Sequence, residues 1–242
     1  MTGTVAIMQP TYLPWLGYFA LMDTVDVFVL LDDVQFSKQS WQQRNRIKTA
    51  NGPTWLTVSV LRKGRSHQRI SEVLIDNTKN SLETHIRTIR QNYKKAPYFE
   101  EVFPDLKRLL DRDWQQLCEL NIAVIEWIKA GLGIRTQCVR AHELKANGVK
   151  AERLVNLCRA LGATHYISPL GSSAYLEETD VFRNAGICLT YHEYDHPTYP
   201  QLYGCFEENL STIDLMLNVG KKSLSIIRRG VGKELERMDE LK

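Results

Sequence analysis

The sequence predicts a mixed α/β fold: a Rossmann-like, mostly parallel sheet with a β-hairpin insertion and a helical middle segment. Three observations predict it. A short apolar run, Thr4-Val5-Ala6-Ile7-Met8, suits a buried strand and leads through Pro10, Pro14 and Gly17 toward a helix. Apolar residues recur at helical spacing through the middle of the chain. The last third alternates strand, helix and strand at the lengths of a βαβ unit.

The elements follow in order. A helix is expected to start near Pro14, which suits a first turn because proline has no N–H to lose there. Asp26 to Leu31 is a β-branched and apolar run that ends on Asp32-Asp33. Arg44 to Lys48 and Thr54 to Val60 flank Asn51-Gly52, a hairpin signal. Thr49-Ala50 and Pro53 beside it suggest a connection longer than two residues. Val73-Leu74-Ile75 suits a further short strand. Leu82, Ile86, Ile89 and Tyr93 form one helical stripe, and Leu117, Leu120, Val124 and Trp127-Ile128 form another that Gly131 or Gly133 can stop. Lys94 to Phe99 reads as a linker. Thr136 to Arg140, His165 to Ile167 and Ile187 to Tyr191 read as strands, with a helix around Leu154, Leu157, Cys158 and Leu161. A single domain is expected over residues 1–230, with a helical insertion at about 78–133 and a charged, frayed helical tail over 231–242.

The 242 residues are 43% hydrophobic and 24% charged, as in ordinary globular proteins. No run is long enough to span a membrane, and no basic-then-apolar leader opens the chain. The five cysteines are scattered and form no CxxC pair, so neither a disulfide frame nor a metal site is expected, and a reducing, cytoplasmic compartment is the simplest reading. A net charge of +3 gives no argument for nucleic acid as a partner.

Four stretches carry candidate chemistry. In the opening turn, Gln9 and Tyr12 are expected to face a cleft, with Trp15 and Tyr18 to stack on a flat ligand. The bland alternative makes Trp15 and Phe19 a hydrophobic staple for the helix. In the second stretch, Asp32 and Asp33 end a strand and are followed by Gln35, Lys38, Trp41, Arg44 and Asn45. Adjacent strand residues face opposite ways, so one acid at most enters a given cleft. Lys38 and Arg44 suit a phosphate or carboxylate, although solvated surface is their usual fate. In the third, Ser168-Pro169-Leu170-Gly171-Ser172 follows a strand, and Gly171 and Ser172 offer amides to an anion or simply make a turn. In the fourth, His196 is the candidate general base, beside Tyr199 and Gln201 in a proline-bounded loop. Ser211-x-x-Asp214 reads as a capping box. Cys205 is a candidate nucleophile if it meets His196, and otherwise an incidental thiol.

Several spaced words resemble the WbqC-like family: Met8-Gln9-Pro10, Pro14-Trp15-x-Gly17-Tyr18-Phe19, Asp32-Asp33-Val34-Gln35-Phe36, and Trp41 with Arg44-Asn45. Ser168-Pro169-Leu170-Gly171-Ser172 with Tyr175-Leu176, His196-Pro197-x-Tyr199-x-Gln201 and Asn209-Leu210-Ser211-x-Ile213-Asp214 continue the match. Such proteins are associated with bacterial surface-polysaccharide and secondary-metabolite gene sets. The resemblance implies a small-molecule tailoring transferase. Acyl or aminoacyl transfer from a carrier-protein thioester to a nucleotide-linked amino sugar, or a similar amine, is the version it suggests, with no cofactor. In that mechanism His196 takes a proton, Asp32 or Asp33 orients the amine or the histidine, and Gln9, Asn45 or the Gly171-Ser172 amides hold the oxyanion. Lys94-Lys95, Lys221-Lys222 and Arg228-Arg229 offer docking charge for an acyl or peptidyl carrier protein, or are solvated surface.

The opening turn also resembles, in outline, the HIGH-motif nucleotidyltransferases. Trp15-Leu16-Gly17-Tyr18 stands where that motif has His-x-Gly-His, and neither histidine is present. An adenylate-forming reading would need ATP and Mg²⁺ near Asp32-Asp33. A third reading is a non-catalytic binding protein.

Overall fold

The first strand, β1 (Thr4–Met8), ends at the opening turn, and α1 (Leu16–Asp23) starts just beyond Trp15. Every residue of α1 except Asp23 is buried, so the helix lies within the core rather than upon it. The structure is a computed structural model and describes residues 3–177, 179–232 and 235–236. β2 (Val27–Leu30) pairs in parallel with β1. β3 (Arg44–Thr49) and β4 (Gly52–Thr57) form the antiparallel hairpin.

The hairpin connection is shorter than expected. Thr49 pairs with Gly52, which leaves only Ala50 and Asn51 between the strands. Gly52 adopts φ +95°, a conformation that glycine takes without a side-chain clash. Pro53 sits opposite Lys48, whose own N–H turns away to the Tyr93 hydroxyl at 2.9 Å, so the missing proline donor costs the ladder nothing. The expected strand at Val73-Leu74-Ile75 is reduced to isolated bridges, Leu74 to Gln116 and Ile75 to Val60.

The helical middle comprises α2 (Ser81–Tyr93), α3 (Phe99–Leu110) and α4 (Leu117–Leu132). α3 buries Phe99, Phe103, Leu106 and Leu110 on one stripe, although Pro104 within it breaks the pattern that sequence reading follows. α4 stops at Gly133, whose φ of +79° lets the Gly133 and Ile134 amides close back on the Ala130 and Lys129 carbonyls.

The remainder alternates: β5 (Gln137–Arg140), α5 (Lys150–Ala160), β6 (His165–Pro169), the short α6 (Ser173–Glu177) and α7 (Val181–Asn184), then β7 (Cys188–His192). α8 (Thr212–Val219) and α9 (Ser223–Arg229) follow. The expected tail helix falls largely outside the described residues. Within them, β8 (Leu235–Glu236) pairs antiparallel with β7.

The sheet order is β5-β2-β1-β6-β7-β8, and the strands from β5 to β7 run parallel. Alternate residues serve two cores. Ala6, Phe28, Leu30 and Ile167 join α1, the helical middle and the hairpin, while Val5, Ile7, Val27, Val29 and Tyr166 join the side of α5 and α7. Among the described residues no helix is long and apolar enough to cross a membrane.

Candidate active site

The strand order reverses at β1: β2 lies on one side of it and β6 on the other. Open parallel sheets bind ligands at the carboxyl ends of their strands beside such a point. Two adjoining cavities lie there and share Met8, Trp15 and Tyr18 as walls. One, of about 200 Å³, continues along Pro169, Leu170 and Gly171 at the end of β6 and His192 and Tyr194 at the end of β7. The other, of about 300 Å³, is closed by Thr11, Trp41, Asn45 and Asn209.

Local chemistry builds these walls. Leu13 has φ +47°, and the Asn45 side-chain amide holds its carbonyl at 2.6 Å. Thr212 donates to the Pro14 carbonyl from both its main-chain N–H and its hydroxyl, at 2.8 Å each, which pins α8 to the turn. The Trp15 ring lies over Gly17, where an added Cβ would come within 2.3 Å of it. Trp15 meets Tyr194 edge-on at 5.5 Å between ring centroids. The Tyr18 hydroxyl donates to the Gln9 main-chain carbonyl at 3.3 Å.

Trp15, Tyr18, Asn45 and Gly171 therefore line these two cavities. Tyr12 does not. It is fully buried, and its hydroxyl meets His85 Nδ1 at 2.9 Å, so it belongs to the core. The Gln9 side chain is answered within the protein by Gln42 Nε2 at 2.7 Å. Ser172 lies beside Gly171 in a single 3-10 turn that leads into α6.

The two acids diverge just beyond the end of β2, where Asp33 lies in a bend. Asp32 is completely buried on the side of α4. Its Oδ2 accepts from Arg140 Nε at 2.8 Å and from His142 Nδ1 at 2.7 Å, and its Oδ1 accepts the His142 main-chain N–H at 3.3 Å. Arg140 Nη1 also pairs with Glu119 at 2.7 Å. Asp33 turns to the opposite face and pairs with Arg153 of α5. Each acid thus faces a guanidinium, which disfavours a divalent cation held between them. His142 was absent from the sequence reading. No local motif marks it, and the parallel pairing of β5 with β2 brings it to Asp32.

His196 lies outside both cavities. Its Nδ1 donates to the Pro197 carbonyl at 3.2 Å, its Nε2 is buried without a hydrogen-bond partner among the described residues, and its ring packs on Tyr194, Tyr199 and Phe206. Burial lowers its pKa below the ordinary histidine value. His192, the last residue of β7, lines the smaller cavity, and its pKa is likewise lowered by burial. Asp32 contacts neither of them; the histidine it orients is His142.

Tyr199 and Gln201 serve a buried polar network. Asp214 Oδ1 accepts from the Tyr93 hydroxyl at 2.6 Å, and its Oδ2 accepts from Tyr199 at 2.9 Å and Gln201 Nε2 at 3.0 Å. Lys48, only 2% exposed, donates to Gln201 Oε1 at 3.1 Å and to the Cys205 carbonyl. The capping box is accordingly half formed: Ser211 caps α8, while Asp214 faces the network and the Ser211 N–H goes to the Arg46 carbonyl. Burial raises the Asp214 pKa against the lowering by its three donors and Lys48.

The rest is surface. Gln35 and Lys38 are exposed, and Gln35 reaches His67 at 3.4 Å. Arg44 lies 4.2 Å above the half-exposed Trp55 ring, which in turn contacts Trp41 at the cavity mouth. The Cys205 thiol is exposed, and among the described residues no hydrogen bond joins it to His196. Burial pushes the Cys118, Cys138 and Cys158 thiols up to about 12. Arg228, expected as docking charge, pairs with Asp23 through two hydrogen bonds of 2.7 and 3.1 Å.

Fold and site together define an α/β protein with a parallel sheet covered on both faces and an aromatic cleft at its switch point. The chain belongs to the WbqC-like protein family, which it matches over residues 9–226. It is 40% identical over 226 residues to Rv1507c, an uncharacterized protein of Mycobacterium tuberculosis, across 93% of this chain and 97% of that one. No solved structure matches the chain.

Proposed function

We propose that the protein is a small-molecule tailoring transferase that forms an amide. It passes an acyl or aminoacyl group from a carrier-bound thioester to the amine of an amino sugar or similar acceptor. One observation carries the reading: the two cavities at the switch point, joined through Met8, Trp15 and Tyr18. Their aromatic walls suit the faces of a ring, and Asn45 and His192 add polar groups at the margins. The rim supports the same reading, since Arg44 over Trp55 and the exposed Lys38 suit a phosphate or carboxylate on the acceptor. Membership of the WbqC-like family is consistent with this role.

The test is thermal shift followed by product analysis. Nucleotide-linked amino sugars are expected to raise the melting temperature of the wild-type protein and to do so far less for Trp15→Ala. Incubation with an acyl thioester should yield an amide detectable by mass spectrometry. Stabilisation by Mg·ATP alone, with no thioester consumed, would favour the adenylate-forming reading and overturn this one.

A further inference from the structure

We infer that His142 is the proton acceptor of this protein and Asp32 its positioning residue, at the carboxyl ends of β2 and β5. The inference rests on the transfer reading only for the identity of the proton donor.

Asp32 has no exposed surface and is held from two sides. Arg140 Nε contacts Oδ2 at 2.8 Å, and the His142 main-chain N–H reaches Oδ1 at 3.3 Å. Arg140 is itself fixed by Glu119 at 2.7 Å. An ionised carboxylate only accepts, so the ring nitrogen 2.7 Å from Oδ2, His142 Nδ1, must be the protonated one. The lone pair of a neutral ring then belongs to Nε2. The His142 side chain is 47% exposed, so a ligand can approach the ring while its carboxylate partner stays dry. A base held in one tautomer and one orientation by a buried carboxylate is the arrangement that general-base catalysis requires. No other histidine–carboxylate hydrogen bond is found among the described residues. Among the described residues no carboxylate is hydrogen-bonded to the ring of His192 or His196, although the charge of Glu208 acts on His196, and His85 is sealed against Tyr12.

The location suits an extended substrate. β5 adjoins β2, and β2 adjoins β1, so the dyad stands about 10 Å along the sheet edge from the aromatic cavities, at the usual spacing between strands. A ring held against Trp15 and Tyr18 would anchor the remote end while the reacting amine reaches His142. As the amine nitrogen forms the new C–N bond to the thioester carbonyl, its proton passes to His142 Nε2. The C–S bond then breaks, and the departing sulfur takes that proton as a thiol.

Two measurements test this, and the first needs no substrate. Long-range ¹H–¹⁵N correlation on the histidine-labelled protein, at a pH where the ring is neutral, should find His142 as the Nδ1–H tautomer. Asp32→Asn should shift it toward Nε2–H, with a thermal melt to establish that the variant is folded. The second measurement is turnover: His142→Gln should lower it by about 100-fold or more with ligand affinity retained. A wild-type ring in the Nε2–H form, or full turnover in His142→Gln, overturns the assignment. An Nδ1–H ring in a protein that makes no amide would instead count against the transfer reading alone.

Discussion

The Tyr12 hydroxyl meets His85 Nδ1 at 2.9 Å and so ties the opening turn to α2. The His85 ring is also hydrogen-bonded to the Thr57 backbone, and burial pushes its pKa down from 6.5 to about 4. The folded chain therefore resists protonation at this ring. Its contribution to stability is complete above about pH 6.5, falls as the pH drops toward about 4, and levels off below that. The loss should be on the order of 3 kcal/mol. Urea melts across this range should reveal the slope in the wild type and a flatter one in His85→Gln. Equal slopes would argue that His85 does not titrate on unfolding.

Asp214 is the hub of the network that joins the hairpin, α2, α8 and the loop after His196. Its replacement by alanine leaves the Tyr93 and Tyr199 hydroxyls and one N–H of the Gln201 amide without their acceptor, and removes the carboxylate charge that acts on buried Lys48. Asp214→Ala is expected to cost about 3–5 kcal/mol. Asp214→Asn keeps the shape and should cost less. Chemical denaturation of both variants checks the order, and equal small losses would contradict it.

Gly17 is required by its neighbour. A methyl group there meets the Trp15 ring at 2.3 Å and forces it to move, and that ring walls both cavities. Gly17→Ala should cost about 1–3 kcal/mol and change the tryptophan emission. It should also weaken ligand binding beyond what the stability loss explains. Unchanged emission and affinity would mean that the indole does not rest on Gly17.

Asn45 stabilises a strained turn, with its amide on the carbonyl of Leu13 at φ +47°. Asn45→Ala leaves that buried carbonyl unanswered, at a cost of about 1–3 kcal/mol. An Asn45→Ala variant as stable as the wild type in chemical denaturation would remove the role given to this amide.

The strand runs at Thr4, Val27, Gln137, His165 and Cys188 were legible because apolar runs and turn residues act locally. α3 was less legible because Pro104 interrupts its stripe, and the hairpin turn because its length depends on the conformation of Gly52. The aromatic cleft was partly legible: Trp15 and Tyr18 stand in one short stretch, whereas Asn45, Gly171 and His192 reach it from separate elements.

The sequence pattern led to opposite facing of Asp32 and Asp33, although β2 stops at Leu30 and the bend beyond it, not strand alternation, sets their directions. Which partner each acid meets did not follow. Arg140 and His142 reach Asp32 only because β5 pairs with β2, and Arg153 reaches Asp33 only because α5 covers the other face. The burial of Tyr12 against His85, and of Lys48 and Asp214 within one network, was likewise decided by tertiary packing. Local pattern sets the side from which a residue points. The element that packs there, often a hundred residues away in the chain, sets its chemistry.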